Sequence, residues 1–535
     1  MKNLEPHSVA LMKRGVKALN EDRTEEAILL FNGAKTLSPD LPLSYLYLAK
    51  AYFSFSQEGF YTTSSYLLKS WDAFWSNFWW SFQTSGMIGI SLYFSLYISI
   101  VVFSSVLIAS KFNLYLHDVM EDKRKTLLLL PPLVLVFFGP IFGLIGFLLP
   151  FWIYLISRER GVLYYCLSLL VLTIFILPFF SSFLGASQDK TLRDIVRINN
   201  GIYTGEATVP SAGSDSFESM FLYALDKKRK GHFSESIKMY EELLNQGEDA
   251  RVYNNLANCY IGLDDYDSAL NYYNKSLKLS KMATAYYNLS QLYREVFNFE
   301  EAEKYYEKAV SIDPLKVNVY KSLKGTSVNS LVMDETLSPS KLWELPRERN
   351  HLYKSSRLMG RMFFFTNRGF SLVLLLLVIF ALSFYGKKIA SGAYRCRRCG
   401  EIFCSECEKK LLKEDICHTC FKTLVKVTEL KSKERIERIL EIQGYREERN
   451  TYLKVLTLII PGIGHVYYGW TIFGFSLILL SSFFLSSSFS WFYFPVPVSM
   501  GQTAFFAKWM SVAGLVLVYG FSAERVLRRI PRRWL

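Results

Sequence analysis

Long stretches without a charged side chain are the feature that most restricts the fold of this 535-residue chain. A helix of about 20 apolar residues crosses a lipid bilayer, and a buried helix of a soluble protein seldom runs uncharged for about 18 residues. We therefore predict an all-α, multi-pass membrane protein with the lipid bilayer as a partner. The charge-free stretches are residues 73–110, 126–157, 161–188, 369–386, 455–507 and 509–523.

The composition agrees with this prediction. Hydrophobic residues make up 50% of the chain, the mean hydropathy is +0.14 and the net charge is +14. In membrane proteins a basic excess is typical of cytoplasmic loops and of contacts with anionic lipids. We therefore expect no nucleic-acid partner. Residues 1–40 contain no apolar segment of the signal-peptide type.

The number of spans depends on residues 127–156, where prolines interrupt the apolar run. A single kinked span there gives six spans and places the N-terminal region in the cytoplasm. A hairpin folded at Gly139 and Pro140 gives seven spans and places that region outside. Three basic residues at 123–125 favour the hairpin, whereas the length of the run and the lack of a signal peptide favour one span. We favour six spans.

A period of 33 residues runs through the polar central region. Small side chains recur where two antiparallel helices approach closely, and large ones recur where the next helix pair packs. This pattern predicts a helical solenoid over residues 217–314. It resembles the tetratricopeptide repeat, and Pro314 matches the closing proline of that repeat. The recurring positions are Ala224, Ala257 and Ser290; Ser236, Ala269 and Ala302; and Tyr240, Tyr273 and Tyr306.

A second copy of the pattern occupies the N-terminal region. Its small and large residues fall at the same offsets, and another unit begins 34 residues later. The second helix of that unit leaves the pattern and ends in an aromatic run that suits a membrane interface. Two unrelated amphipathic helical hairpins are the alternative. The matching residues are Gly15, Ala27, Phe31, Ala34 and Pro39, then Tyr45, Leu48, Ala49 and Tyr52.

The resemblance to tetratricopeptide repeats implies a concave face that binds peptides or partner helices. Asn and Arg side chains on such a face could hold an extended backbone or a carboxylate. The alternative is that they are ordinary solvated helix residues. Carried over position by position, the face consists of Arg251, Asn254, Asn258, Tyr287, Gln291 and Arg294.

Six of the eight cysteines lie within 25 residues. Two Cys-x-x-Cys pairs separated by 17 residues fit a tetrahedral zinc site that braces a small ribbon or knuckle. The other two cysteines and a histidine could hold a second ion, or the two cysteines could replace one pair. We predict a structural site with one zinc ion, and two ions are the open alternative. The first ligand set is Cys396, Cys399, Cys417 and Cys420, and the second group is Cys404, Cys407 and His418.

The cysteines also suggest an orientation. Closely spaced thiols favour a reducing compartment, and a disulfide knot on the outer face is the alternative. Basic residues between the 369–387 span and the cysteines agree with the positive-inside rule. We expect the zinc module and the C-terminus in the cytoplasm and the central repeats on the opposite side.

A glycine-rich turn, PGIGHVYYG, interrupts the last apolar stretch. The roughly nine apolar residues before it would span only about 14 Å as a helix, which is too short for a bilayer. We expect a short re-entrant or interfacial helix, then the turn and a true span. We interpret the histidine as a hydrogen-bonded structural residue rather than as a proton or metal site. The segment resembles the PG-x-G-[HQ]-x-Y-x-G hairpin of TM2-type domains through Pro461, Gly462, Gly464, His465, Tyr468 and Gly469.

Taken together, the order of these parts resembles uncharacterised bacterial tetratricopeptide-repeat membrane proteins with a cysteine knuckle and such a hairpin. This resemblance implies the bacterial inner (cytoplasmic) membrane, with the central repeats in the periplasm. The predicted parts are N-terminal repeats 1–82, a transmembrane block 83–187 of two to four spans, a central repeat domain 188–340, a linker 341–368, a span 369–387, the zinc knuckle 394–424, a charged helix 425–450, the hairpin and last spans 453–523, and a basic tail 524–535.

Our first functional hypothesis is a non-enzymatic membrane scaffold or adaptor that binds protein partners through its repeats. The chain has no HExxH, GxSxG, Walker or GxGxxG motif in a usable context. The second hypothesis is a membrane enzyme acting on a lipid-linked sugar or a related substrate, with Asp118, Glu121 and Asp122 near His117 as candidate acids. The third is a transporter component, although buried charges that mark an ion path are lacking in the spans.

Overall fold

The computed structural model describes residues 5–121, 134–201, 217–322, 331–349, 368–388, 393–396, 398–404, 416–424, 432–490 and 501–528. The chain forms two compact units. Unit 1 consists of Met1–Ser81 and Asp189–Glu348, and unit 2 of Phe82–Gln188 and Arg349–Leu535. Helices make up most of the described residues, which confirms the prediction of a mainly helical fold.

The N-terminal part of unit 1 consists of two antiparallel helix pairs. Phe31 is buried and stacks on Tyr47 with 5.3 Å between ring centroids. A side chain at Gly15 would collide with the Phe31 ring, so the recurring small residue has a steric reason. The helices are α1 (Glu5–Asn20), α2 (Thr24–Leu37), α3 (Pro42–Tyr52) and α4 (Gln57–Ser76).

A long apolar helix and a broken segment follow in the chain. The prolines act as expected, because Pro140 and Pro150 each lie at the start of a new helical segment rather than inside one. Residues 122–133, which include part of the ambiguous 127–156 run, lie outside the described residues. The elements are α5 (Phe78–Glu121), a 3-10 helix (Val134–Phe138), α6 (Pro140–Leu148), a second 3-10 helix (Leu149–Tyr154) and α7 (Ser157–Gln188).

The central part of unit 1 is a solenoid of helix pairs. Side chains of Asp249, Asp265 and Asn298 accept hydrogen bonds from backbone N–H groups in the first turns of three of its helices, which fixes where those helices begin. A further helix, α8 (Lys190–Asn199), precedes the solenoid. The solenoid helices are α9 (Phe217–Arg229), α10 (Phe233–Gln246), α11 (Ala250–Ile261), α12 (Tyr266–Leu279), α13 (Ala283–Glu295), α14 (Phe299–Ile312) and α15 (Pro314–Ser322).

The turns inside the helix pairs repeat with the same backbone conformation. Asp22, Gly231, Asp264 and Phe297 each have a positive φ, at 57°, 85°, 60° and 61°. Each lies seven residues after the small residue of its repeat. The N-terminal and central regions therefore share the geometry of the turn as well as the spacing of small and large residues.

After the solenoid, residues 332–337 run in a non-helical conformation and then enter α16 (Pro339–Glu348). We call residues 332–337 the groove segment. It falls within the predicted domain 188–340. α16 begins at the end of that domain and continues into the predicted linker 341–368, of which residues 350–367 lie outside the described residues.

The C-terminal part of unit 2 contains the cysteine module and the last apolar helices. β1 and β2 form a small antiparallel hairpin in which Tyr394 pairs with Phe403. The charged helix and the apolar residues before the glycine turn, which we expected to be separate, form one continuous helix. The elements are α17 (Arg368–Lys388), β1 (Ala393–Arg395), β2 (Ile402–Cys404), α18 (His418–Leu424), α19 (Ser432–Ile459), α20 (Ile463–Tyr467), α21 (Thr471–Ser490) and α22 (Gly501–Arg528).

Four described helices are long and apolar enough to cross a membrane. These segments are Phe78–Val119, Ser157–Ile176, Thr471–Ser490 and Phe505–Arg528. Two shorter apolar segments are Pro140–Tyr154 and Gly369–Phe384. All six overlap the stretches from which we predicted spans, and Phe78–Val119, Ser157–Ile176 and Phe505–Arg528 extend beyond them into charged residues.

The glycines of the PGIGHVYYG turn are required by close backbone approach. Gly462 has φ +98°, and a side chain there would collide with the carbonyl oxygen of Gly474. The N–H of Gly464 donates to Thr457 Oγ1 at 3.1 Å, and Tyr468 Oη donates to Asn450 Oδ1 at 2.6 Å. These contacts join the start of α21 to the end of α19 through the short helix α20.

Candidate functional site

The groove segment is bound in the solenoid through a series of asparagine side chains. Asn288 accepts from Met333 N at 2.7 Å and donates to Met333 O at 2.8 Å. Asn255 accepts from Glu335 N at 2.8 Å and donates to Glu335 O at 2.9 Å. An asparagine amide thus pairs with both backbone groups of a residue, as a neighbouring strand would.

The same pairing recurs at a third position. Asn199, the last residue of α8, accepts from Leu337 N at 2.7 Å and donates to Leu337 O at 3.3 Å. Residues 333, 335 and 337 alternate, and alternate residues of an extended chain present their backbone groups to the same side. These asparagine side chains therefore bind the backbone of an extended segment, and the contacts do not depend on which side chains the segment has at those positions.

Two further asparagines complete the contacts to the first of these residues. Asn254 Nδ2 and Asn258 Nδ2 donate to Met333 O at 3.2 and 3.0 Å. Asn258 Oδ1 accepts in turn from Tyr273 Oη at 2.6 Å. We call the surface formed by these side chains the repeat groove; it consists of Asn199, Lys228, Arg229, Asn254, Asn255, Asn258 and Asn288.

A buried acidic side chain pairs the groove segment with two basic side chains of the solenoid. Asp334 Oδ1 lies 2.8 Å from Lys228 Nζ, and its Oδ2 lies 3.3 Å from Arg229 Nε. The Lys228 side chain has no exposed surface, and the Asp334 side chain is only 7% exposed. Asn258 Nδ2 also donates to Asp334 Oδ1 at 2.9 Å.

The pKa of Asp334 reflects two opposing effects. Burial by itself raises the pKa of the carboxyl group, and the adjacent ammonium of Lys228 and guanidinium of Arg229 lower it by more. The net result is a pKa well below the ordinary value. Asp334 is therefore ionised at neutral pH, so that the site pairs a carboxylate with two cations.

Apolar side chains of the groove segment fill the spaces between the helices. Val332 packs in a cluster with Tyr273 and Leu289, and Met333 packs in another with Tyr287 and Tyr320. Leu337 is also buried. The segment thus presents apolar residues at two positions before the acidic residue and at one position after it.

The six residues of the sequence-predicted face do not share one role in the structure. Asn254 and Asn258 contact the groove segment. Arg251 binds Asp249 at 2.6 Å, and its guanidinium lies over the Phe221 ring. The Tyr287 ring contacts the Tyr320 ring and lies in the same apolar cluster as Met333 of the groove segment.

The last two residues of that face have local partners. Gln291 donates to Ser290, and Arg294 lies near Glu303 at 3.7 Å and over the Tyr306 ring. These contacts are to other residues of the solenoid and not to the groove segment.

Sequence reasoning missed Asn199, Asn255, Asn288, Lys228 and Arg229. A signal existed for two of them, because Asn255 and Asn288 lie 33 residues apart, one repeat period. Asn199 lies outside the repeats, and its role depends on how α8 packs. The two cations are part of an ordinary-looking basic run, and the burial of Lys228 is visible only in the folded chain.

A second candidate site is formed by four cysteines of unit 2. The sulfur atoms of Cys396, Cys399, Cys417 and Cys420 all lie within 4.8 Å of one another, and Cys399 Sγ is 3.8 Å from Cys417 Sγ. A tetrahedral ion with bonds of about 2.3 Å to sulfur requires distances of about 3.8 Å between the sulfur atoms. The donor set therefore fits a metal such as zinc.

The backbone around Cys396 favours the thiolate form of that residue. Cys396 Sγ accepts from the N–H groups of Arg398 and Cys417, each at 3.4 Å. Burial by itself raises the pKa of the Cys396 thiol, and the backbone N–H donors outweigh this effect and lower the pKa to about 7. Such N–H contacts to ligand sulfurs orient the ligands in metal sites.

The other predicted ligands are only partly described. The backbone of Cys404 ends β2, and His418 begins α18 with an exposed side chain. Cys407 lies outside the described residues. The number of ions thus stays a prediction.

His465 of the glycine turn is completely buried between aromatic rings. Its ring centroid lies 6.1 Å from that of Trp470 and 5.1 Å from that of Phe473. Neither ring nitrogen has a hydrogen-bond partner among the described residues, in contrast to the hydrogen-bonded role that we expected. Its position is explained by packing in the turn.

The candidate acids of the enzyme hypothesis lie at the end of α5. Asp118 is buried and accepts from Tyr154 Oη at 2.6 Å. The side chain of Glu121 and the whole of Asp122 lie outside the described residues. Asp118 thus has a structural partner in the described part of unit 2.

Comparison with known proteins identifies the solenoid. The tetratricopeptide repeat family matches residues 249–314, which contain α11 to α14. No curated protein is significantly similar to the chain. The crystal structure of yeast Tom70 aligns with 98% of this chain and 99% of that chain at 13% identity and a TM-score of 0.14, which is too low to support any argument. The family match confirms the predicted repeats over this range: the chain contains tetratricopeptide repeats.

Proposed function

We propose that the protein is a membrane-anchored adaptor whose repeat groove binds an extended segment of a partner protein. The observation that carries this proposal is the pairing of Asn199, Asn255 and Asn288 with both backbone groups of alternate residues. Such contacts recognise an extended polypeptide, and the charged and apolar sites beside them supply selectivity.

A cross-linking experiment in intact cells tests the adaptor function. The combined change Asn255→Ala and Asn288→Ala removes four backbone hydrogen bonds from the groove. The matched control is Asn271→Ala with Asn274→Ala, which alters two exposed asparagines of α12. We expect the wild type and the control to cross-link to the same specific protein, and the groove variant to lose it. Equal recovery of that protein by all three chains would refute the proposal.

We further propose that the four cysteines hold one structural zinc ion. Support comes from the four sulfurs, which lie within 4.8 Å of one another, and from the N–H groups that face Cys396. A structural ion contributes on the order of 10 kcal/mol to the folding of small modules, so the module depends on it. Metal analysis of the purified chain should give one zinc per chain, lost in Cys417→Ser and kept in Cys166→Ala.

Two other outcomes of the metal analysis are informative. Two zinc ions per chain would indicate a second site at Cys404, Cys407 and His418. A chain without zinc, with disulfides among these cysteines in vivo, would overturn both the metal site and the proposed cytoplasmic location of the module.

The proposed anchor is a set of spans in a bacterial inner membrane, with the cysteine module inside and the central repeats outside. Four long apolar helices and two shorter ones support it. The test uses a membrane-impermeant thiol reagent on intact spheroplasts. Cysteine introduced at exposed Ser311 should react, and cysteine introduced at exposed Ser432 should react only after permeabilisation. The reverse pattern would invert the topology.

A further inference from the structure

We propose that the groove segment, residues 332–337, is an intramolecular occupant of the repeat groove that an acidic extended segment of a partner protein displaces. This inference rests on the proposed adaptor function and adds to it the class of partner and its regulation. It starts from the finding that the groove is filled by the chain itself.

The groove segment is held in the groove as a bound peptide ligand would be. It reaches the solenoid through asparagine side chains, and its described residues form no backbone ladder with another strand. The backbone groups of the solenoid helices are paired within those helices. When the segment leaves, the groove side chains exchange their hydrogen bonds for water, and this exchange has a small net cost per bond.

A buried ion pair joins the groove segment to the solenoid. With the segment bound, the Lys228 side chain has no exposed surface and the Asp334 side chain is 7% exposed. Release of the segment exposes both charges together, which avoids an unpaired buried charge. The same ammonium and the guanidinium of Arg229 are then available for a carboxylate of another chain.

The contacts of the groove segment indicate which sequence pattern a partner segment must have. Its contacts require an extended backbone, an acidic residue for Lys228 and Arg229, two apolar residues before it and one apolar residue three positions after it. In this chain those positions are Val332, Met333, Asp334 and Leu337. The partner is therefore an extended protein segment of the pattern apolar–apolar–acidic–x–x–apolar.

Covalent attachment gives the groove segment an advantage over a free competitor. A short tether produces an effective concentration on the order of millimolar. A peptide with the same contacts, present at micromolar concentration, will therefore bind the wild-type chain poorly. Weakening the internal segment without altering the groove should restore its binding.

The test uses the full-length chain in detergent and a fluorescent peptide with the sequence of residues 331–338, LVMDETLS. Asp334→Asn weakens the internal segment and leaves Lys228 and Arg229 in place for the peptide. The matched control is Glu335→Gln, which removes a neighbouring charge whose partner, Lys316 at 3.1 Å, is half exposed. Peptide affinity is measured by fluorescence anisotropy.

We expect the Asp334→Asn chain to bind the peptide at least tenfold more tightly than the wild type and the Glu335→Gln chain. Adding Asn288→Ala to Asp334→Asn should reverse the gain, and the peptide LVMNETLS should bind the Asp334→Asn chain at least tenfold more weakly. An Asp334→Asn chain that binds no better than the wild type would overturn the inference.

A second measurement covers the case in which Asp334→Asn does not fold. In the wild-type chain, amide hydrogen exchange at Met333 and Glu335 should be at least tenfold faster than in the buried part of α11, and millimolar LVMDETLS should accelerate it further. Exchange of the segment in step with α11, unaffected by peptide, would show that it belongs to the folded core.

Failure of this inference differs from failure of the adaptor function. A cellular partner that depends on Asn255 and Asn288, together with a peptide that never competes, would refute the displacement and retain the adaptor. Loss of any groove-dependent partner would refute the adaptor itself.

Discussion

The N-terminal helix pairs and the central solenoid are built on the same repeat and differ in what the first helix presents. In α11, Asn254 and Asn258 point into the groove and bind the groove segment. The residues at the same offsets from the small position in α1 are Met12 and Val16. The central solenoid therefore binds a backbone segment at these positions, whereas the N-terminal region has apolar side chains there.

The large residue of the second helix differs in the same way. Tyr273 is buried, and its hydroxyl donates to Asn258. At the equivalent position the N-terminal region has Phe31, which stacks on Tyr47 and has no hydroxyl group. The repeat pattern therefore determines the scaffold, and a few polar substitutions on it create a binding groove.

The largest expected effect comes from the cation of the groove. Lys228→Met leaves Asp334 without its ammonium, and loss of one partner of a buried pair costs about 3–5 kcal/mol. We expect the groove segment to be released, with amide exchange at Met333 and Glu335 at least 100-fold faster than in the wild type. Lys230→Met, which removes a partner of Asp226 at 2.6 Å just after the end of α9, is the control and should leave that exchange unchanged.

Unchanged protection of the segment in Lys228→Met would mean that the backbone contacts alone hold it. The difference between the N-terminal helix pairs and the central solenoid would then come from the asparagines of the solenoid and not from its buried charge. The equivalent position in α1 is Leu19, which has no acid to bind.

Reciprocal exchange of the large residues tests the two kinds of packing. Tyr273→Phe removes the hydroxyl donor to Asn258, and we expect it to lower the free energy of unfolding by about 1–2 kcal/mol. Phe31→Tyr adds a hydroxyl to an apolar pocket and should cost about 1–3 kcal/mol. Denaturant unfolding of the full-length chain, followed in each region by hydrogen exchange, measures both. A neutral effect of both changes would show that the hydroxyl does not distinguish the regions.

Acidification should weaken the central region through Asp334. Because its pKa in the folded chain is held below the ordinary value of 3.8, the carboxylate stabilises the bound segment fully above about pH 5. Below about pH 4 the released segment takes up a proton first, and the stabilisation falls by roughly 1 kcal/mol by pH 3. The stability difference between the wild type and Asp334→Asn should therefore be constant between pH 5 and 7 and decrease below about pH 4. A constant difference down to pH 3 would contradict the ion pair.

The smallest effect concerns the turns that the two regions share. Phe297 is 80% exposed and has a positive φ, which is strained for a bulky residue. Phe297→Gly should raise the free energy of unfolding by roughly 0.5–1 kcal/mol, because the relief of strain exceeds the extra entropy of glycine. Gly231→Ala, at the equivalent turn, should lower it by a similar amount. The same sign for both changes in thermal unfolding would show that these turns are not equivalent.

Much of the scaffold could be predicted from the sequence because its signals are periodic and local. The 33-residue spacing of Ala224, Ala257 and Ser290 predicts the helix pairs, and the family match confirms it for residues 249–314. Charge-free stretches predict apolar helices where the structure has them. The Cys-x-x-Cys spacing predicts four cysteines that the fold does bring together.

The content of the groove could not be predicted in the same way. Residues 332–337 carry no helical period and no motif, and they lie 45 residues after Asn288 and 138 after Asn199. Contacts over such distances in sequence depend on how the chain returns across the solenoid.

From the sequence alone follow the repeats, the apolar helices and the cysteine spacing, since each of these depends on residues close together in the chain. Only the tertiary structure decided that Lys228 is buried, that it faces Asp334, and that asparagines from α8, α11 and α13 line one groove. The physical reason is that a polar side chain acquires its role from the desolvated partner it meets, and here that partner is distant in the chain.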